Sequence, residues 1–210
     1  MKMNIDPSKL TRTDNYQMLI GSVLPRPIAF VTSQNEEGIV NAAPFSFYNV
    51  ITANPPLISI SVGRKPDGSS KDTARNIIEG KEFVVHVVDE SNVELVNETS
   101  ADFPPDVSEV AEVGFTLEKS EKVNVASIKE AKVKLECKLS QALTLGGTED
   151  EPSCDFIIGE VVNYRVEDDL YLEGKIDAKK LAPVSRLGGS DYEKLGETFS
   201  IPRPAPPTKD

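Results

Sequence analysis

The stretch that most constrains this chain runs from residue 57 to residue 80, LISISVGRKPDGSSKDTARNIIEG. Leu57, Ile58, Ile60 and Val62 are apolar or β-branched and alternate with Ser59 and Ser61, which predicts a strand. Gly63 to Ser70 is turn chemistry throughout. Thr73 to Glu79 then predicts a short helix, with Asp72 or Ser70 as its cap and Gly80 as its stop. A strand, a cationic hydroxyl-bearing loop and a helix N-terminus in series suit a bound phosphate. The first turn of a helix offers unpaired N–H groups and a partial positive charge. Arg64 and Lys71 add full charges, and Ser69, Ser70 and Thr73 add hydroxyls. The plainer explanation is that loops before helices hold such residues in order to cap and turn. The segment is not a Walker loop, because Gly-x-x-x-x-Gly-Lys-Ser/Thr is absent.

The other sequence features narrow the function classes. The 210 residues carry a formal charge of −11, which disfavours general nucleic-acid binding and an anionic membrane surface. Against that background a basic pocket at Arg64–Lys71 stands out. No apolar run is long enough to span a bilayer, and the first sixteen residues lack the apolar core of a signal peptide, so a cytoplasmic location is expected. Two cysteines, Cys137 and Cys154, make neither a disulfide framework nor a metal cluster. The only histidine, His86, sits inside the apolar run 83–88, where packing in a strand is the expected role and catalysis is not.

In chain order, residues 1–12 read as an arm, and Asp14 to Gly21 as a short helix capped by Thr13. Pro25 and Pro27 fix the backbone around Arg26. Strands are expected over 27–33 and from Ile39, with a hairpin turn at 34–38. The segment 42–49 mixes small residues with aromatics. It is either a strand fraying into a loop or a place where a flat ring approaches the backbone beside Phe45 or Phe47. Residues 82–88 read as a strand buried on both faces, and 89–99 as a helix capped by Asp89. The acidic, Pro-containing stretch 101–114 reads as a loop or short helix placed over a site or at a subunit contact. Residues 131–145 and 155–166 read as strands, and 170–172 as another joined by the turn 167–169. Residues 1–196 form one domain and 197–210 a Pro-rich extended tail. Six or more hairpin-linked strands with helices at intervals predict a mainly β fold, an antiparallel barrel with peripheral helices. The chain has no βαβ rhythm and no Gly-x-Gly-x-x-Gly, which argues against a Rossmann site.

Several segments form an ordered set. They are Arg26-Pro27-Ile28-Ala29-Phe30-Val31, Asn41-x-Ala43-Pro44-Phe45-Ser46-Phe47, Asn54-Pro55-Pro56-Leu57 and Lys71-Asp72-Thr73-x-x-Asn76-Ile77. Later come residues 97–104 and Pro183-x-x-Arg186-Leu187-Gly188-Gly189-x-x-Tyr192. Together they resemble the flavin reductase-like family, whose members have an FMN-binding split β-barrel. Phe30 stands where many relatives carry Trp, and His86 where Asn is common.

The resemblance implies FMN as cofactor and NADH or NADPH as co-substrate. It implies that Arg64, Ser70, Lys71, Asp72 and Thr73 meet the phosphate, and that Ala43, Pro44, Phe45, Ser46 and Asn49 meet the ring. It places Val62 and Gly63 along the ribityl chain, Arg26 beside the site, and Arg186, Gly188 and Tyr192 over the ring or the nicotinamide side. The chemistry it implies is hydride transfer to the flavin, which needs no acid–base dyad. No catalytic side chain and no metal are therefore expected. Electrons would pass to an acceptor or to a partner monooxygenase, and the protein would be a homodimer. The alternative is a flavoredoxin-like electron carrier reduced by a protein and not by NAD(P)H.

Overall fold

The computed structural model describes residues 2–101, 103, 108–148 and 150–204. Parts of the 101–114 stretch and of the tail lie outside the described residues. After a 3₁₀ turn at Pro7–Lys9, helix α1 (Arg12–Ser22) begins two residues earlier than the pattern predicts. Thr11, not Thr13, is its cap. The Thr11 hydroxyl accepts the Asp14 N–H at 3.1 Å, and the Asp14 carboxylate accepts the Thr11 N–H at 3.3 Å. This reciprocal pair closes the helix end.

The strands are β1 (Arg26–Pro27), β2 (Ala29–Gln34), β3 (Val40–Phe45), β4 (Tyr48–Ala53), β5 (Pro56–Gly63), β6 (Glu82–Val87) and β7 (Leu117–Glu118). They continue with β8 (Ser127–Ile128), β9 (Val133–Gly147), β10 (Pro152–Val166), β11 (Tyr171–Leu172), β12 (Lys175–Ile176), β13 (Val184–Arg186) and β14 (Tyr192–Lys194). Helices α2 (Asp72–Gly80), α3 (Val93–Glu98), α4 (Glu109–Val113) and α5 (Ala178–Leu181) lie between them.

Seven strands form one antiparallel sheet in the order β3-β2-β6-β9-β10-β5-β4. Its two edge strands, β3 and β4, follow one another in the chain with only Ser46 and Phe47 between them. A two-residue link cannot cross the width of a flat seven-stranded sheet, since strands lie about 4.8 Å apart. The sheet must therefore curl until its edges meet. The Ser61 N–H donates to the Phe47 carbonyl at 2.8 Å, which carries the β4–β5 ladder into this two-residue link. The result is the mainly β, antiparallel split barrel that the sequence resemblance implies.

Helix α2 packs chiefly against β2 and β3. Its Ala74 and Ile77 are fully buried and pack with Ile58, Ile60, Val62 and Phe83 in the main core. β6 is buried on both faces, as its continuous apolar run predicts. Phe83 and Val85 face the main core, while Val84 packs with Val123 and Val125 outside the barrel. A second cluster around Ile28, Phe30, Val96, Val110 and Phe115 holds α3 and α4 against β2 and β3.

The structure corrects several local expectations. α2 runs to Gly80 itself, and the left-handed residue that stops it is Lys81, with φ of 62°. The helix expected over 89–99 shortens to Val93–Glu98, because the buried Asp89 spends its carboxylate on the Ser91 N–H in a preceding turn. Tyr171–Leu172 pairs with β12 and not with the preceding strand. The segment after Phe45 does not fray; it turns into a six-residue edge strand of its own, β4, which the sequence pattern missed.

Candidate functional site

The end of β3, the 64–72 loop and the first turn of α2 converge on a cavity of about 450 Å³. Ala43, Pro44 and Phe45 form one wall, and Lys65, Pro66, Asp67, Lys71, Asp72 and Thr73 another. Thr99, Ser100, Ala101, Phe103 and Glu109 close it from the α3–α4 side. Its size suits a small organic ligand, for which roughly 300–1,000 Å³ is usual.

Local chemistry explains the shape. Alanine and proline at 43 and 44 leave the backbone of β3 open at its last turn before the seam. The loop is built on its own bonds: Gly68 N–H to the Lys65 carbonyl, Lys65 N–H to the Ser69 carbonyl, and the Asp67 carboxylate taking both the Ser69 N–H and hydroxyl. Those Ser69 bonds hold the Asp67 carboxyl below its ordinary pKa. α2 begins at Asp72, and its N-cap is Lys71, not the expected Asp72 or Ser70; Lys71 makes no side-chain cap bond, so the cap supplies no acceptor for the first-turn amides beside the cavity. Asp72 is bridged to Lys65 at 3.2 Å and to Arg75. Burial raises its carboxyl, but these two cations outweigh that and hold its pKa below the ordinary value.

A hydrogen-bonded chain crosses the cavity floor. The Thr73 hydroxyl lies 2.8 Å from one end of the Asn41 carboxamide, and the other end lies 3.0 Å from Glu109 Oε1. Glu109 Oε2 accepts the Ala42 N–H at 3.0 Å. With Glu109 ionised, donor–acceptor matching turns the Asn41 nitrogen to the carboxylate and its oxygen to the Thr73 hydroxyl. Burial pushes the Glu109 carboxyl above its ordinary value, opposed by the Ala42 N–H and assisted by the charge of Asp72.

The structure gathers six of the sequence-predicted site residues on this cavity: Ala43, Pro44, Phe45, Lys71, Asp72 and Thr73. Ser46 is half-buried in the seam, and Ser70 is half-buried beside Lys71. Asn49 is exposed on β4, its amide oxygen taken by the Val50 N–H. Val62 points into the core and Gly63 is exposed. Arg64 turns away from this cavity: it pairs with the buried Asp155 at 2.7 Å and donates to the Gly68 carbonyl at 3.1 Å. It lines an adjoining cavity of about 390 Å³ with Arg12, Lys65 and Glu151.

Arg26 is buried and donates to the carbonyls of Ile20, Val23 and Leu187, each at 2.8 Å. That occupies three of the four N–H groups on its two terminal nitrogens and ties α1 to the β13–β14 turn. Arg186 stacks on Tyr192 at 4.4 Å, and the Tyr192 hydroxyl donates to Asn97 at 2.8 Å; with Gly188 they stand apart from the cavity lining. Sequence reasoning missed Lys65, Pro66, Asp67, Thr99 and Glu109. The acidic stretch 101–114 was the only signal for the last of these, and its described residues Ala101, Phe103 and Glu109 do line the cavity.

Among the described residues no cluster of His, Cys, Asp and Glu could hold a metal ion, and no helix is long and apolar enough to cross a membrane. His86 is fully buried: its Nδ1–H donates to the Phe30 carbonyl and its Nε2 accepts the Ile128 N–H, both at 2.9 Å. It is a structural residue.

A family model for a flavin reductase-like domain matches residues 20–179. The chain belongs to the flavin reductase-like family. It is 59 % identical over 202 residues to an uncharacterized protein of Halalkalibacterium halodurans, covering 96 % of this chain and 97 % of the other. Among solved structures, it resembles nitrilotriacetate monooxygenase component B from Bacillus cereus at 51 % identity and a TM-score of 0.94, covering 96 % of this chain and 99 % of that one. It also resembles the 2-nitrobenzoate 2-nitroreductase of Pseudomonas fluorescens at 35 % identity and a TM-score of 0.86, with 96 % of each chain covered.

Proposed function

We propose that this protein is an FMN-dependent oxidoreductase of the flavin reductase type, using NADH or NADPH as hydride donor. One observation carries this reading above the others. The open backbone wall Ala43–Phe45 and the uncapped N-terminus of α2 share one cavity of about 450 Å³. A flat ring with a phosphate on a flexible arm needs those two surfaces at once.

The residues fit FMN in part by chemistry and in part by shape. The first-turn amides of α2, Lys71 and Ser70 would hold the phosphate, since helix N-termini favour anions. Ala43, Pro44 and Phe45 would hold the ring, with Phe45 packing along its edge. When bound, FMN supplies the two-electron chemistry. The side chains then need only to bind, orient and keep water out. Phe103, Ala101 and Ser100 would shield the cavity from the α3–α4 side. The likeness to a monooxygenase component B supports a role in which reduced flavin is delivered to a partner monooxygenase.

A homodimer belongs to the same proposal. The edge strand β4 exposes Val50 at 68 %, with Ile51 and Phe47 beside it, and the outer half of the β9–β10 hairpin exposes Leu143 and Leu145. An unpaired edge with apolar side chains is a surface that proteins cover. A second copy of the chain would do so and bring its own hairpin close to the flavin cavity. Light scattering coupled to gel filtration reads this directly, and a monomer would refute it.

The test of function is the visible spectrum of the purified protein, before and after NADH or NADPH is added without air. Bleaching of a bound flavin is the expected result. A flavin that stays oxidised would assign electron entry to a protein donor, and a protein that takes up no FMN would refute the reading.

A further inference from the structure

The lining of the flavin cavity has an electrostatic problem. Its charged side chains are Lys65 and Lys71 against Asp67, Asp72 and Glu109, so an ionised lining is net negative where a phosphate would have to enter. The loop supplies Lys65, Asp67 and Lys71, α2 supplies Asp72 and Arg75 behind it, and α4 supplies Glu109 with Glu112 on its outer side; β3 supplies no charge. Lys65 and Arg75 are already spent on Asp72. The hydroxyl of Thr73 is spent as well: while Glu109 is ionised, that hydroxyl donates to Asn41 and offers an anion no proton.

One proton relieves both conditions. If Glu109 is protonated, its O–H can donate to the Asn41 oxygen once the carboxamide turns over, its oxygen and nitrogen exchanging places. The Asn41 nitrogen then donates to Thr73 Oγ1 at 2.8 Å, and the Thr73 hydroxyl is free to donate into the mouth of α2. The Ala42 N–H keeps its acceptor, Glu109 Oε2, throughout. The turned amide loses its second, longer contact to that N–H, since its nitrogen then stands 3.2 Å from it as donor against donor, a cost carried by the protonated state.

We propose that Glu109, Asn41 and Thr73 form a proton-coupled relay, in which binding of the flavin's phosphate at the N-terminus of α2 is accompanied by protonation of Glu109. The inference rests on the FMN reading above. Glu109 is here a positioning residue: it acts on the ligand through Asn41 and Thr73. Burial raises its carboxyl pKa above the ordinary value, which favours the protonated form. By linkage, a ligand that favours the protonated form binds more weakly as pH rises past the free protein's pKa, by about tenfold per pH unit for one coupled proton.

The experiment compares FMN with riboflavin, which lacks the phosphate, by flavin fluorescence titration between pH 5 and 8. It uses the wild-type protein, Glu109→Gln and Asn41→Ala. Calorimetry of FMN binding to the wild type, in two buffers of different ionisation enthalpy, counts the protons taken up. The phosphate's own titration is common to all three proteins and cancels. Wild type should lose FMN affinity with rising pH relative to Glu109→Gln, whose amide donates to Asn41 at every pH. Riboflavin should show no such difference, and Asn41→Ala should lose the pH dependence that separates wild type from Glu109→Gln.

Parallel FMN profiles for wild type and Glu109→Gln, with no proton uptake beyond the phosphate's own, would overturn the relay while leaving FMN binding intact. A pH dependence that persists in Asn41→Ala would overturn it too, since charge acting across space would then suffice. Failure of the folded wild type to bind FMN at any pH would overturn the functional reading itself.

Discussion

The only histidine makes an acid-stability prediction unusually clean. His86 is the one side chain here whose ordinary pKa, 6.5, lies in the middle of the physiological range. In the fold it is fully buried on β6, with its Nε2 committed as acceptor to the Ile128 N–H. An imidazolium cannot accept that bond. Burial depresses the imidazole to about 3, against the pull of the Phe30 carbonyl and with the help of Lys134. Between about 6.5 and about 3 the unfolded chain therefore binds a proton that the folded chain refuses.

The sign follows from that proton. Stability is fully present above 6.5 and is lost as pH falls towards the folded value of about 3. The slope is about 1.4 kcal/mol per pH unit, so the loss at pH 5 is of order 2 kcal/mol, a sizeable part of a total of roughly 5–15. Glu109, whose folded pKa is raised, contributes the opposite sign in an overlapping window, so the useful quantity is a difference between proteins. His86→Gln keeps a neutral donor and acceptor near the same two backbone groups but cannot titrate. Urea unfolding at pH 7.5, 6 and 5 should show the wild type losing about 2 kcal/mol more than His86→Gln over the range. Parallel curves, within about 0.5 kcal/mol, would refute the argument that the buried imidazole stays neutral.

Three further outcomes are expected. Gly159→Ala would place a Cβ 2.3 Å from Phe83 Cζ in the centre of the core, so the fully buried ring must shift; a loss of about 1–3 kcal/mol in chemical denaturation is expected, and unchanged stability would mean that the ring has room. Arg64→Ala would strand the Asp155 carboxylate, 2 % exposed, without its cation; about 3–5 kcal/mol is expected in the same assay, largely recovered by also making Asp155→Asn, and a stable single variant would contradict the pairing. Lys71→Ala should weaken FMN by roughly tenfold, the scale of one partly screened charge, while riboflavin affinity stays within about twofold; equal losses for both would place Lys71 at the ring and not at the phosphate.

The barrel was legible because its evidence is local. Alternation in 57–62 and 131–145, the continuous run at 82–88 and the hairpin turn at 34–38 each follow from neighbours in the sequence, and the strands stand where those patterns put them. β4 was not legible. On an edge strand only one side pairs, and Tyr48–Ala53 is exposed along almost its whole length, so no buried face writes a period into the sequence. The cap of α1 failed for a different reason. Thr11 and Thr13 are both good caps by composition, and only the reciprocal bond with Asp14 decides between them.

The site divides along the same line, between what a residue is and what meets it. Lys71 and Thr73 stand at the helix N-terminus that local pattern assigned to them. Arg64 was expected on an anion for the same compositional reasons, but its partner is Asp155, ninety-one residues later on the strand that pairs with β5. That pairing puts Asp155 directly opposite Val62, two residues before Arg64, so the arginine is claimed by the barrel before a ligand arrives. Glu109 is the converse case. Nothing in the acidic stretch around it marks one carboxylate from another, and its meaning comes from Ala42 and Asn41, across a sequence separation of sixty-seven residues to the first of them. The cation expected on the phosphate is thus held by a barrel carboxylate in this structure. Glu109, in the stretch expected to lie over a site or at a subunit contact, is the acid on which the proposed relay to Thr73 turns.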